Sequence, residues 1–253
     1  MTTPRPRDAR PPGGPAPAAG TASTSTDHRD VLMLRAMALG FGIGSFLFAL
    51  GTVFVWMGLS PDLANVTYAL GAVGFTSAAT VQWRASVVHH PWYERLRLRA
   101  ESDLTNPDWT SAVTQLIGTL FFNVMTIRAV LLSLADPNVD YTEVWGPDVY
   151  GSALFLVSSW IAWHPIARHR RHRLISGRSA WICWANMTGS VFFALSAWGA
   201  RMLPNGQLES VTWSNFGTFV GAICFFLGAA LLLPEVGLPE VGRQERVRRG
   251  RTP

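Results

Sequence analysis

Six long stretches of the chain are apolar and almost free of charge, and shorter polar segments separate them. Each stretch has close to the roughly 20 residues that a helix needs to cross the apolar core of a bilayer. Because that core offers no water to backbone groups, an α-helix is the expected structure. We therefore predict an all-α, polytopic membrane bundle of six transmembrane helices. The predicted spans are residues 31–57, 63–88, 111–135, 149–167, 180–200 and 212–233.

The arginines alternate between the connecting segments. The N-terminal arm, the second and fourth connections and the C-terminal tail each carry several arginines, whereas the first and third connections carry none and the fifth carries only Arg201. Positive charge in short loops marks the cytoplasmic side, so both termini are predicted to be cytoplasmic. Tryptophans, which favour the membrane–water interface, fall near both sets of predicted helix ends. They are Trp56, Trp145, Trp198 and Trp213 at the outer ends, and Trp83, Trp109, Trp163 and Trp181 at the inner ends.

The two ends of the chain differ in composition from the apolar part. Residues 1–30 are rich in Pro, Ala, Gly, Ser and Thr and are predicted to be a disordered cytoplasmic arm. Residues 31–234 form the predicted transmembrane domain, and residues 235–253 a basic cytoplasmic tail. The formal net charge of +5 favours contact with anionic lipid head groups over nucleic-acid binding. The predicted location is the inner membrane of a bacterium.

Successive pairs of helices carry the same order of residues. In the first helix of each pair a glycine precedes a small hydroxyl residue and a phenylalanine, and in the second a glycine precedes alanine or serine and a phenylalanine. The six glycines are Gly44, Gly71, Gly118, Gly151, Gly189 and Gly221. A proline follows near the end of each second helix. We therefore predict three repeated antiparallel hairpins, at about residues 31–91, 109–168 and 180–234.

A Gly-Ser-x-x-Phe helix, a short turn and a second glycine-containing helix that ends at a proline resemble the YrhK-like family of small bacterial membrane proteins. The resemblance is clearest for residues 44–75 and 189–225. It implies one hairpin per domain and no established activity. The resemblance therefore supports the hairpin prediction and implies no catalytic residue.

Glycine spacing also predicts where helices pack. Small residues let helix backbones approach closely in lipid, and Gly-x-x-x-Gly occurs twice. The residues expected to pack helices together are Gly40, Gly44, Gly118, Gly189, Gly217 and Gly221. Packing within one bundle and a dimer interface are both compatible with this pattern.

Few residues inside the predicted spans could bind a ligand, and no Asp, Glu or His falls in the middle of one. Arg128 either pairs with an outer carboxylate such as Asp136 or snorkels outward, or it binds an anionic head group or solute. Three amides, Gln115, Asn123 and Asn186, either form hydrogen bonds between helices or line a polar site. Gln115 and Asn186 each precede a glycine of the repeated pattern by three residues.

The remaining motifs favour no catalytic chemistry. His169 and His172 have a spacing that could hold a metal, but their neighbouring arginines favour a basic belt against lipid head groups. Cys183 and Cys224 are expected to be packing residues. No cofactor, metal site or enzyme activity is therefore predicted. The favoured function is a bundle that interacts with lipid or with a membrane partner, including a second copy of itself. The alternative is a transporter or channel for a small neutral or anionic solute.

Overall fold

The computed structural model describes residues 21–88, 106–135, 142–168 and 177–233. These residues form six α-helices and one isolated β-bridge. The helices are α1 (Thr21–Trp56), α2 (Pro61–Val88), α3 (Pro107–Ala135), α4 (Thr142–Arg168), α5 (Gly177–Gly199) and α6 (Val211–Leu232). Within these ranges four helices are long and apolar enough to cross a membrane: α1 from Val31 onwards, α3, α5 and α6. The all-α prediction is confirmed, and membrane-spanning character is supported for these four helices.

All six helices begin before the predicted spans, and two of them, α1 and α4, begin seven or more residues earlier. α1 begins at Thr21, so the last part of the predicted N-terminal arm is helical. A helix that forms in the apolar run can extend toward the N-terminus, because each added residue adds one backbone hydrogen bond. No proline interrupts this extension in residues 21–30. α4 begins at Thr142, because Gly146 and Pro147 are accommodated within the helix instead of ending a loop.

Local signals in the sequence fix several helix ends. The hydroxyl of Ser60 accepts a hydrogen bond from the backbone N–H of Leu63 at 3.3 Å. The side-chain oxygen of Asn106 accepts one from the N–H of Asp108 at 2.9 Å. Both residues precede a proline at the first helical position, where its missing N–H is not needed. Gly58, with φ of +68°, ends α1 in the left-handed conformation that glycine adopts without strain.

The six helices form a closed ring in chain order. Each helix packs mainly against the one before and the one after it, and α6 packs against α1. Neighbouring helices run antiparallel, since residues early in one helix contact residues late in the next. We call the end of the bundle where α1 ends and α2 begins the upper end, and the opposite end the lower end.

The buried face of every helix has the same spacing. Counting from the glycine, a small residue follows at the next position, a phenylalanine at the fourth, and mostly small residues at the seventh and eighth. These positions lie on one face of an α-helix. A Cβ on Gly118 would lie 2.8 Å from the ring of Phe155, and one on Gly151 would lie 3.1 Å from the ring of Phe122. The glycine of each helix therefore makes room for the phenylalanine of its neighbour, and α1–α2 and α5–α6 repeat this exchange.

The perimeter of the bundle is more apolar than that of a water-soluble bundle, and small hydroxyl residues are buried inside. Small hydroxyl residues such as Ser45, Thr119 and Ser190 are fully buried. Large apolar side chains are exposed around the perimeter. They include Leu39, Ile43, Phe46, Leu70, Val73, Ile117, Leu120, Leu131, Val157 and Leu227. Such a surface is unfavourable in water and suits a lipid environment.

Two stacked layers of phenylalanine fill the centre of the ring. The upper layer contains Phe48, Phe122 and Phe193, from α1, α3 and α5, with ring centroids 5.8, 5.9 and 6.3 Å apart. The lower layer contains Phe75, Phe155 and Phe225, from α2, α4 and α6, with centroids 5.5, 5.8 and 5.9 Å apart. Rings of the two layers also meet within each helix pair, at 5.0, 5.2 and 5.5 Å. The middle of the bundle is therefore packed with aromatic side chains.

Candidate functional site

Directly above the upper phenylalanine layer, the helices surround a cavity of about 380 Å³. Sites for small molecules typically have volumes of about 300–1,000 Å³. The three upper-layer rings form its floor, and α2, α4 and α6 supply much of its wall from equivalent positions. Three residues before the buried glycine stand Tyr68, Asp148 and Thr218, and six residues before it stand Asn65, Trp145 and Asn215.

Asp148 is the only charged side chain among the described residues that line this upper cavity. It precedes Gly151 by three residues, a rise of about 4.5 Å along a helix. Gly151 itself lies against the ring of Phe122. The backbone of Asp148 is therefore less than one helical turn above Gly151 and the cavity floor. The hydroxyl of Ser152 is shared between this carboxyl group and the backbone carbonyl of Phe193.

Most hydrogen-bond donors that line the upper cavity are already used. The indole N–H of Trp145 donates to the carbonyl of Ala197 at 2.8 Å. The side-chain amide of Asn65 donates to the carbonyl of Ala129 at 3.3 Å. The remaining bonds of this kind join hydroxyl groups to backbone carbonyls: Thr126 to Phe122, Ser196 to Ser214 and Thr218 to Ser214. The cavity therefore presents mainly lone pairs and aromatic rings.

A smaller cavity of about 160 Å³ lies on the other side of the phenylalanine layers. Three amide side chains line it, from Gln82, Gln115 and Asn186, together with Phe41 of α1. In the part of the chain that the structure describes, the side-chain oxygen of Gln82 is buried without a hydrogen-bond partner. A polar group buried in this way is unfavourable unless water or a ligand reaches it.

Arg128, the candidate anion-binding residue, lines neither cavity. It lies on the exposed side of α3, and its guanidinium donates a hydrogen bond to the backbone carbonyl of Glu143 at 3.1 Å. Glu143 stands four residues before Pro147, which has no N–H to donate to that carbonyl. Arg128 thus satisfies a backbone group that the proline of α4 leaves without its usual partner.

The three candidate amides have different surroundings. Gln115 lines the lower cavity and accepts a hydrogen bond from the hydroxyl of Ser158 at 3.3 Å. Asn186 also lines the lower cavity. Asn123 donates to the hydroxyl of Thr76 across the α2–α3 contact, and its own oxygen is buried without a partner among the described residues. Two of the three therefore lie at a polar cavity, and two bond to a neighbouring helix.

The glycines predicted to pack helices all lie against a neighbouring helix of the same bundle. A Cβ on Gly40 would lie 2.8 Å from the Cβ of Ala78, and one on Gly217 would lie 2.6 Å from the carbonyl oxygen of Phe192. Close contacts of the same kind hold for Gly44, Gly118, Gly189 and Gly221. Packing within one bundle accounts for their spacing.

The candidate metal ligands His169 and His172 lie outside the described residues. Within the described ranges, no group of three or more His, Cys, Asp or Glu side chains could hold a metal ion. Cys183 and Cys224 are free and half-buried, and neither lines the upper or the lower cavity.

Sequence reasoning missed most of the upper cavity. Asp148 was assigned to the third connection, before the predicted start of the fourth span, and the structure places it inside α4. The signal that could have found it was its distance from the buried glycine. Gln115 in α3 and Asn186 in α5 also precede a buried glycine by three residues, and they line the lower cavity. In α2, α4 and α6, which run antiparallel to α3 and α5, the residue with this spacing lines the upper cavity.

Comparisons of the chain with known protein families, with curated proteins and with solved structures found no match. The resemblance to the YrhK-like family stays a prediction from the sequence. The candidate site is therefore defined by its own geometry: a mainly apolar cavity to which the described residues contribute several polar side chains and one carboxyl group, closed below by two layers of phenylalanine.

Proposed function

We propose that this chain is a six-span protein of the bacterial inner membrane, built from three repeated hairpins, that binds and carries a small solute. The observation that supports this most is the pair of cavities on opposite sides of the phenylalanine layers, each of which has several polar side chains in a mainly apolar lining. A carrier needs a site for its solute and a barrier that separates the two sides of the membrane. The upper cavity supplies the first, and the two phenylalanine layers supply the second.

The rival function is a packed bundle that only contacts lipid or a membrane partner. Such a bundle gains nothing from a cavity lined by amide, hydroxyl and carboxyl groups, and a buried polar group without a partner is unfavourable. The volume of about 380 Å³ therefore favours solute binding over the packed bundle. We propose no catalytic role for any residue.

Six spans are proposed although α2 and α4 are less apolar than the other helices. They have 28 and 27 residues, which is enough to cross a bilayer. Their outward sides carry exposed apolar residues such as Leu70 and Val157, and several of their polar residues line the cavities. With arginine-rich connections inside, both termini are cytoplasmic and the upper cavity opens away from the cytoplasm.

Cysteine labelling tests whether the upper cavity contains water. Cys183 and Cys224 are first replaced by alanine, and Ala129, which lines the cavity, is replaced by cysteine. A charged, membrane-impermeant methanethiosulfonate reagent added outside intact spheroplasts should modify Ala129→Cys, because water carries the reagent into the cavity. The matched control is Leu131→Cys in the same helix, 62% exposed on the perimeter, which lipid should protect. Mass spectrometry of the purified protein measures the modified fraction of each variant.

Equal protection of both cysteines would contradict a hydrated cavity and favour the packed bundle. Modification of Ala129→Cys only in inside-out vesicles would support a hydrated cavity but would show that it opens toward the cytoplasm, opposite to the proposed orientation. Neither readout depends on knowing the solute.

A further inference from the structure

We propose that the upper cavity takes a small organic cation, an ammonium group carried on an apolar body. This inference rests on the proposed function, because it names the class of solute for the same site. It differs from the neutral or anionic solute expected from the sequence. Three features of the cavity carry it: one carboxyl group among the described lining residues, few free donors in the wall, and an aromatic floor.

The carboxyl group of Asp148 gives the cavity its sign. No described residue that lines the cavity is basic, and no described residue forms an ion pair with Asp148. Its side-chain hydrogen bond is with the uncharged hydroxyl of Ser152. An uncompensated carboxylate in a low-dielectric site is stabilised by a cation and repels an anion.

The hydrogen-bond pattern of the wall favours a ligand that donates. Trp145, Asn65 and Thr126 direct their hydrogens to backbone carbonyls of the bundle. The hydroxyl of Thr52 donates to the carbonyl of Phe48, so the hydroxyl of Tyr68, 3.0 Å away, is the donor in their shared bond. The side-chain oxygens of Asn65, Thr126 and Tyr68 therefore offer lone pairs to a ligand, whereas the indole of Trp145, with its N–H already used, offers only its ring. An ammonium group has only donors and can use these lone pairs, whereas a carboxylate ligand would meet few free donors.

The floor suits the rest of such a molecule. The rings of Phe48, Phe122 and Phe193 line the same cavity as Asp148 and lie below it. Aromatic faces attract cations and also bind apolar groups. A primary amine with a short apolar body can place its ammonium group beside Asp148 and its body on these rings.

Three probes of matched size and different charge test the inference: 2-phenylethylammonium, 2-phenylethanol and phenylacetate. Each is titrated by isothermal calorimetry against the full chain in phosphatidylglycerol nanodiscs at neutral pH. The cation should bind at least about tenfold more tightly than the alcohol, because a desolvated ion pair adds affinity. Phenylacetate should bind more weakly than both. Asp148→Asn should bring the ratio of cation to alcohol affinity close to one while the alcohol still binds.

Two variants separate this site from other charges. Glu143→Gln removes a carboxyl group from an exposed position on the same helix and should keep the cation preference. Arg128→Leu should keep it as well, whereas an anion site at Arg128 would lose phenylacetate binding in this variant. Equal wild-type affinities for the cation and the alcohol would overturn the inference and leave the solute-binding function standing. A preference for phenylacetate, or no binding of the cation, would also overturn it.

The ammonium group could belong to a free solute or to a lipid head group. Nanodiscs that contain phosphatidylethanolamine distinguish these sources. A weaker apparent affinity for 2-phenylethylammonium in those nanodiscs would show that the lipid amine competes for the cavity. An unchanged affinity would assign the cavity to a free amine.

Discussion

Replacing Phe225 by alanine is expected to lower the free energy of unfolding by about 3 kcal/mol, as for other buried phenylalanines. Phe225 is 3% exposed, and its ring meets those of Phe75, Phe155 and Phe193 at 5.8, 5.5 and 5.2 Å. The ring faces the centre of the bundle and the lower cavity and not the lipid-exposed perimeter, so lipid chains do not replace its contacts. Unfolding by sodium dodecyl sulfate in mixed micelles, followed by helical circular dichroism, measures the change.

The adjacent residue provides the control for this experiment. Phe226 is 41% exposed on the perimeter of the bundle, where lipid replaces the contacts that a truncated side chain loses. Phe226→Ala should therefore change the free energy of unfolding by less than about 1 kcal/mol. Equal losses for the two variants would mean that the central phenylalanine layers contribute no more to stability than the perimeter does.

Gly217→Ala is expected to destabilise the bundle by about 2 kcal/mol, because added atoms in a tight contact force backbones apart. A Cβ at this position would lie 2.6 Å from the carbonyl oxygen of Phe192 and 2.8 Å from the backbone nitrogen of Ser196. Both atoms belong to the backbone of α5, so no side-chain rotation can relieve the collision. Separation of α5 from α6 would also weaken the hydrogen bond from Ser196 to the carbonyl of Ser214. The same unfolding assay measures the loss.

Gly42→Ala is expected to increase the free energy of unfolding, in contrast to Gly217→Ala. The nearest atom to a Cβ at this position is the Cβ of Ala229 at 3.9 Å, which is an ordinary contact. Alanine also has a higher helix propensity than glycine, by up to about 1 kcal/mol. A similar loss in both glycine variants would show that the assay reports glycine content and not the α5–α6 contact.

The number of described helices could be predicted from the sequence because it depends on local composition. The length of the apolar runs predicted all six of them, whereas the meeting of the phenylalanines in the centre was not predicted. Helix boundaries were harder. Pro147 is tolerated inside α4 because Arg128, a residue of another helix, donates to the carbonyl that the proline leaves free. A contact between distant residues of this kind has no local signal in the chain.

The candidate site was less predictable than the fold. Gln115 and Asn186 were identified as polar residues inside spans, and they do line a cavity. Asp148 was missed because its neighbours Gly146 and Pro147 are typical of a loop. Tyr68 and Asn215 gave no signal by themselves, since their exposure to a cavity depends on how six helices pack together. Asp148, Tyr68 and Asn215 each stand three or six residues before a buried glycine. This spacing predicts that they line one cavity only when the antiparallel order of the helices is also known.

The upper cavity shows what is gained when three helix pairs belong to one chain. A trimer of identical two-helix subunits would carry the same side chain at all three positions that precede the buried glycine in α2, α4 and α6. An aspartate there would place three carboxylates around one axis, where like charges repel each other. In this chain those positions hold Tyr68, Asp148 and Thr218. Covalent linkage therefore allows a threefold framework to hold one off-axis charge among these three positions, which can orient a ligand that the framework alone could not.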